Sequence, residues 1–143
     1  MSTETNKAVV RRLLEQSTGP QADSVIEELV APNFRTHEGD EAQEVGVEGF
    51  KQLAASFRTA FADGKFVIED MVAEGDKVVT WAYFIGTHTG PLEGMPPTGQ
   101  RVKVKDVDLF RLEGGKVVET WTHFDQLGMM QQLGMAGAES EEH

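Results

Sequence analysis

The sequence predicts an α+β domain in which helices come first and an antiparallel meander of strands follows. Two observations carry this. Apolar residues recur at helical spacing as far as Asp63-Gly64, and at a period of two beyond it. The later strands are joined by tight polar turns, Glu74-Gly75-Asp76-Lys77 and Glu113-Gly114-Gly115-Lys116, which suit hairpins. At 143 residues the chain is the length of one domain.

From about Thr5, residues Val9, Val10, Leu13 and Leu14 repeat on one helical face, and Gly19-Pro20 ends the run. Ser24-Val25-Ile26-Glu27 has the form of a capping box opening a second helix, with Ile26, Leu29 and Val30 on its apolar face. Pro32 stops that helix, because the residue before a proline is steered away from helical backbone. A third helix starts near Val47 and carries Phe50, Leu53, Ala54, Phe57 and Phe61 on one stripe, closed by Asp63-Gly64. Strands are predicted over 65–73, 78–87, 101–112 and 117–124, with a Gly/Pro-rich loop over 89–100. A short helix over 126–133, stopped by Gly134, completes the chain. Residues 1–5 and 136–143 are expected to be frayed tails. Helices packed on one face of a curved sheet leave room for a pocket between them.

The composition narrows the function classes. Lys and Arg number 13 against 24 Asp and Glu, for a net charge of −11, which argues against a nucleic-acid surface and fits solubility. There is no cysteine for disulfide or thiolate chemistry. No apolar run approaches a membrane span and no signal peptide is visible, so a cytoplasmic location with no membrane partner is expected. The Gly-rich segments lack the strand-to-helix context of a phosphate loop. His37, His88 and His123 lack metal-ligand spacing, so neither a metal nor a cofactor is expected.

Asp125, at the end of the last strand, is the leading candidate for proton transfer. Alternation puts it on one face with Trp121 and His123. Burial beside the indole would raise its pKa, and the imidazole could hydrogen-bond it. The competing reading is a helix cap, since Asp before Gln126-Leu127-Gly128 suits an N-cap. Asp106 and Asp108 share a face of the third strand, as an acid/base pair would, or as one solvated and one paired carboxylate. Apolar residues fall on both parities of that strand, leaving its inward face open. His88, between threonines and glycines, and His37, after Asn33-Phe34-Arg35-Thr36, read either as turn anchors or as polar contacts at a pocket rim. Phe57, Phe61 and Trp81 read as core or as pocket wall.

The chain also resembles the SnoaL-like polyketide (ester) cyclases of the nuclear-transport-factor-2-like superfamily. The resemblance is carried by Asn6-Lys7-Ala8-Val9-Val10-Arg11-Arg12, Ala31-Pro32-Asn33-Phe34 with His37, Gly46-Val47-Glu48-Gly49-Phe50, and Phe61-Ala62-Asp63. It continues through Ile68-Glu69-Asp70, Gly86-Thr87-His88-Thr89-Gly90, Pro96-Pro97-Thr98-Gly99, Gly115-Lys116-Val117-Val118-Glu119-Thr120-Trp121 and Gln132-Leu133-Gly134. It implies one domain over residues 1–143, a cone-shaped sheet enclosing a pocket, and a homodimer. It further implies cofactor-independent intramolecular aldol closure of a small hydrophobic carbonyl compound, with Asp125 at the position of the general acid/base. His37, Phe57, Phe61, Trp81, His88, Asp108, Trp121 and His123 are then the expected substrate contacts. Many relatives carry a basic residue where this chain has Trp81, which implies a more apolar pocket and a departure from a polyketide-ester substrate. The same fold is compatible with an isomerase, dehydratase or epoxide hydrolase, or with a non-catalytic binding or dimerisation module.

Overall fold

A computed structural model describes residues 2–38 and 41–134. Four helices and six strands follow in the order α1 (Thr3–Gln16), α2 (Ala22–Leu29), β1 (Val30–Glu38), β2 (Glu41–Glu44), α3 (Gly46–Ala60), β3 (Lys65–Glu74), β4 (Lys77–Thr87), β5 (Arg101–Glu113), β6 (Lys116–Phe124) and α4 (Gln126–Gln132). The α+β class and the order of helices and meander are as the sequence predicts.

Several boundaries differ, each for a local reason. The first helix reaches into the stretch expected to fray, because the Ser2 hydroxyl accepts the Thr5 N–H at 3.0 Å and caps α1. The other expected tail, 136–143, lies outside the described residues. The capping-box reading of Ser24 gives way to a helix that begins at Ala22, and the Ser24 hydroxyl donates back to the Gln21 carbonyl instead. Beyond Leu29 the chain passes directly into β1, a strand absent from the sequence prediction because Pro32 and Asn33 read against strand. A register shift between Val30 and Arg35 accommodates them.

The sheet order is β2-β1-β6-β5-β4-β3, with β2 and β3 as free edges. All neighbours are antiparallel except β1 and β6, which run parallel, so the curved sheet is mixed and unclosed rather than wholly antiparallel. The helix-rich first half supplies β1 to the β6 edge of the meander, where the two strands run parallel.

Burial alternates along β4 and β5, and even-numbered residues face the helices. Two apolar clusters form on that concave side. One joins Val10, Leu13, Ile26 and Leu29 to Phe34, Val78, Phe110 and Val117. The other joins Phe61, Phe84, Leu92, Val102 and Val104 to Met129 and Leu133 of the C-terminal segment. The apolar stripe of α3 spans the gap between them without being sealed: Phe50 and Phe57 are only half-buried and Leu53 is 48 % exposed. Full burial of such side chains contributes roughly 1.5–3 kcal/mol each, so part of that stabilisation is withheld until something covers them.

The loop between β4 and β5 is pinned to the end of α3. Thr89 and Gly90 both donate backbone hydrogen bonds to the Ala60 carbonyl, at 2.9 and 3.1 Å. A Cβ at Gly90 would stand 2.0 Å from the Thr59 carbonyl oxygen, so only glycine permits this approach. Gly90→Ala is therefore expected to destabilise the fold by about 2–3 kcal/mol, a fall of roughly 5–10 °C in Tm by calorimetry.

Candidate active site

Inward-facing residues of the three central strands repeat one pattern. On β5, Val102 and Val104 lie at one end, Phe110 and Leu112 at the other, and Asp106 and Asp108 between them. On β4 the sequence is Phe84, then Ala82 and Thr80, then Val78. On β6 it is Phe124, then Thr122 and Thr120, then Val117. The ladder brings the middles together, pairing Asp108 with Thr80 on one side and Thr122 on the other, and Asp106 with Ala82 and Phe124. The Thr120 hydroxyl donates onward to that of Thr36 on β1 at 3.2 Å.

A cavity of ≈ 850 Å³ lies over this polar row. Phe50, Leu53 and Phe57 of α3 wall it opposite the sheet, with Phe66, Phe110 and Phe124 at its sides and Leu92 and Glu93 at its rim. Among the described residues no Lys or Arg lines it.

Asp106 and Asp108 are 3 % and 5 % exposed, and the Oδ1 atom of each is buried without a hydrogen-bond partner among the described residues. The Thr80 hydroxyl beside them is likewise unpartnered. Two carboxylates rarely lie side by side in a fold's interior, because each ionised form loses its hydration and repels the other. Burial pushes the Asp106 carboxyl up to about 9, and the adjacent Asp108 adds to the rise. Burial also raises Asp108, but the Asp106 carboxyl, the Thr122 hydroxyl and the His123 backbone N–H favour its ionised form. The environments are therefore unequal: the Thr122 hydroxyl and the His123 N–H favour the ionised form of Asp108 only, so Asp108 is the better placed of the two to carry a negative charge and Asp106 to hold a proton.

The residues expected at the site divide between the two faces of the sheet. Asp108 and Phe57 line the cavity, and His123 reaches its mouth although exposed. Asp125 does share a face with Trp121 and His123, but that face is the outer one. Its carboxylate is exposed and accepts the Gly128 N–H at 2.9 Å as the N-cap of α4, which corrects the expected burial among aromatics. Trp121 stacks on His37 on the outer face, ring centroids 4.6 Å apart, and His37 Nε2 lies 2.6 Å from Glu119 Oε2. Arg111 Nε donates to the other Glu119 oxygen at 2.9 Å, and these two hydrogen bonds hold the Glu119 carboxyl low against the opposing effect of burial. Trp81 is also on the outer face and 47 % exposed, so it forms no part of the pocket wall. Phe61 is buried in the core against Phe57, Phe84 and His88. His88 is fully buried away from the cavity, and its Nδ1 accepts the Thr98 N–H at 3.2 Å, anchoring the 89–100 loop.

Two things went unread in the sequence: which face of β5 is inward, which left the Asp106/Asp108 pairing open and Asp106 outside the expected contacts, and the threonine row Thr36, Thr80, Thr120 and Thr122. A signal for the first was present: Arg101, Lys103, Lys105 and Arg111 all occupy odd positions of the strand, marking that face as outward. As for metals, no group of three or more His, Cys, Asp or Glu side chains converges among the described residues.

The fold is a half-open α+β cone with a pair of carboxylates inside it, and comparison with known proteins agrees with that fold. The family model for SnoaL-like polyketide cyclase matches residues 8–133, and the chain belongs to that family. It is 30 % identical over 139 residues to the aklanonic acid methyl ester cyclase DnrD of Streptomyces peucetius, covering 94 % of this chain and 92 % of that one. It is 33 % identical over 90 residues to the nogalonic acid methyl ester cyclase of Streptomyces nogalater, covering 62 % of this chain and 67 % of the other. Among solved structures it superposes on a protein of Jannaschia sp. CCS1 described as a SnoaL-like polyketide cyclase, with TM-score 0.83, 33 % identity and 92 % of each chain covered. It also superposes on AclR of Streptomyces galilaeus, described as a hydroxylase, with TM-score 0.81, 27 % identity, and 93 % and 83 % covered. Its named relatives support a cyclase-like enzyme in general terms.

The raised Asp106 pKa has a consequence for stability. A carboxyl whose folded pKa lies above its unfolded value of 3.8 is fully compatible with folding below that value, and costs more as pH climbs toward about 9. Asp106→Asn removes this cost, so its Tm is expected to exceed that of the wild type at pH 8 by at least a few degrees, with a smaller gain at pH 5. Asp125→Ala is expected to lower stability by about 1 kcal/mol at either pH, as loss of a helix cap does, measured by denaturant titration.

Proposed function

We propose that the protein is a cofactor-independent cyclase that closes a ring in a neutral, largely apolar polyketide-type carbonyl compound, with Asp108 as general base and Asp106 as general acid. The observation that carries this reading is the pair of buried carboxylates, each with an unpartnered oxygen, beneath a cavity large enough for a fused-ring precursor.

The chemistry balances within the site. The Asp108 carboxylate removes a proton from the carbon alpha to a carbonyl, leaving the electron pair as an enolate. That carbon attacks a second carbonyl carbon of the same molecule, forming the new C–C bond and converting the C=O to an alkoxide. Asp106 gives its proton to that oxygen as the charge develops. Proton transfer from Asp108 to Asp106 restores the pair, so substrate and product are isomers and no co-reactant is consumed. The phenyl walls of α3 and the sheet hold the folded chain in one reactive conformation, which removes much of the entropic barrier. Assignment to Asp106 and Asp108 replaces the expectation for Asp125, whose carboxylate is committed to capping α4 in solvent.

The curated relatives are named for methyl esters, and the charge of this cavity favours the same choice. A substrate carboxylate would enter a space walled by Asp106, Asp108 and Glu93 with no Lys or Arg among the described residues to receive it.

With aklanonic acid methyl ester as the assay compound, Asp106→Asn and Asp108→Asn are each expected to lower kcat by about 10²–10⁴ while Asp125→Ala stays within about threefold of wild type. Near-normal kcat in both asparagine variants would remove the mechanism. The kcat/KM profile is expected to be bell-shaped, with an alkaline limb near 9 where Asp106 loses its proton. The free acid of the same compound is expected to react with kcat/KM lower by about 10² or more, measured by product formation under matched conditions.

A further inference from the structure

Glu93 is the one non-glycine residue with positive φ among the described residues, at +47°. It is followed by Gly94 at +83°, and Leu92 and Met95 exchange both backbone hydrogen bonds across the pair, at 3.0 and 2.8 Å. This is a two-residue hairpin turn of the mirror-image type, which calls for positive φ at both central positions. Asn-Gly or Gly-Gly meets that demand with little strain, whereas a glutamate's Cβ crowds its own carbonyl there. A residue poorly suited to its turn points to a role for its side chain.

The position of the turn supplies that role. Leu92 is buried into the second apolar cluster and anchors the hairpin, while Glu93 itself lines the rim of the cavity. Among the described residues no Lys or Arg lines the cavity to neutralise it, and its other titratable lining residues are Asp106, Asp108 and His123. We propose that Glu93 is a charge-selecting residue at the cavity mouth: its strained turn holds a carboxylate where an entering anionic ligand must pass, so that neutral ligands are admitted in preference to their anionic counterparts. The inference rests on the cavity being the ligand site, as proposed above, but not on the acid/base roles of Asp106 and Asp108. Those buried residues penalise an anion only after it is inside, and Glu93 acts at the threshold and in solvent, where its effect is screened by salt.

The test uses two dyes with the same apolar body, neutral N-phenyl-1-naphthylamine and its anionic sulfonate 8-anilinonaphthalene-1-sulfonate. The neutral dye is titrated into the protein by fluorescence, and the sulfonate is then measured as its competitor, so both report on one site. Glu93→Gln and Glu93→Asn are expected to improve the sulfonate's affinity by about three- to fivefold at low ionic strength, with the neutral dye unchanged and the gain shrinking in salt. Glu93→Asn is also expected to raise Tm by about 2–4 °C, because asparagine suits the turn, while Glu93→Gln leaves it unchanged. Glu74→Gln, at the hairpin between β3 and β4, removes the same charge outside the cavity lining and is expected to change neither dye's affinity. A sulfonate affinity unmoved by both Glu93 variants overturns the proposal, as does a Glu74→Gln effect of the same size, which would trace the discrimination to net charge. A fall in Tm for Glu93→Asn overturns the strain argument. Failure of the neutral dye to bind wild-type protein overturns both this inference and the cavity as ligand site. Dye binding with a response to Glu93, alongside active Asp106→Asn and Asp108→Asn variants, retains the filter and removes only the proposed catalytic pair.

Discussion

Strand β5 pairs with β4 from Arg101 to Arg111 on one side and with β6 from Asp106 to Glu113 on the other, and its pleat sorts most of the central sheet. Up to the register shift at Arg111/Leu112 the two ladders share one alternation, so a residue's parity decides whether it meets the helices or the outside. A slip of one residue would bring Lys103, Lys105 and Arg111 into the interior and turn Val104, Asp106, Asp108 and Phe110 outward. The burial of Val102, Val104, Phe110 and Leu112 is what forbids that slip, and their packing holds the two carboxylates inside against the cost of keeping them there.

The cavity is a consequence of how this core is divided. Apolar side chains converge at both ends of the concave face, around Val78 and Phe110 and around Phe84 and Val104. Between them the sheet presents threonine, alanine and aspartate, which do not fill the space below α3. The helix nevertheless keeps aromatic and leucine side chains over the gap. A folded protein that leaves Phe50, Leu53 and Phe57 incompletely covered and Asp106, Asp108 and Thr80 incompletely bonded forgoes stability at one place. Both deficits suit the substrate class proposed above, an apolar body with neutral oxygen functions.

The outer face follows the same alternation with different chemistry. Trp121 and His37 stack there, and Glu119 bridges His37 to Arg111 across three strands. Trp81 and Val72 stand exposed on the neighbouring strands. Residues that looked like one aromatic acid/base cluster in the sequence, Trp121, His123 and Asp125, do lie together in parity, but on the outer side, with only His123 reaching the cavity mouth.

Much of the fold was legible in the chain. Helical and then twofold periodicity located α1, α3 and the four strands of the meander, and Asp125 before Gln126-Leu127-Gly128 marked the last helix cap. The strand β1 was hidden, because Pro32 and Asn33 look like a helix stop and only a bulge against β6 makes them a strand. The Asp106/Asp108 pair was visible as two carboxylates on one strand face, and the odd positions of its cations held the answer to which face. What the sequence by itself determined was the set of elements and the residue types that alternate along each. The cations of β5 mark its inward face, but what lies opposite that face is settled only when α1 and α3 pack and leave a cavity over it. That packing is why the proposed chemistry moves from Asp125 in solvent to Asp106 and Asp108, because the burial that perturbs a carboxyl is a property of the assembled site and not of the strand alone.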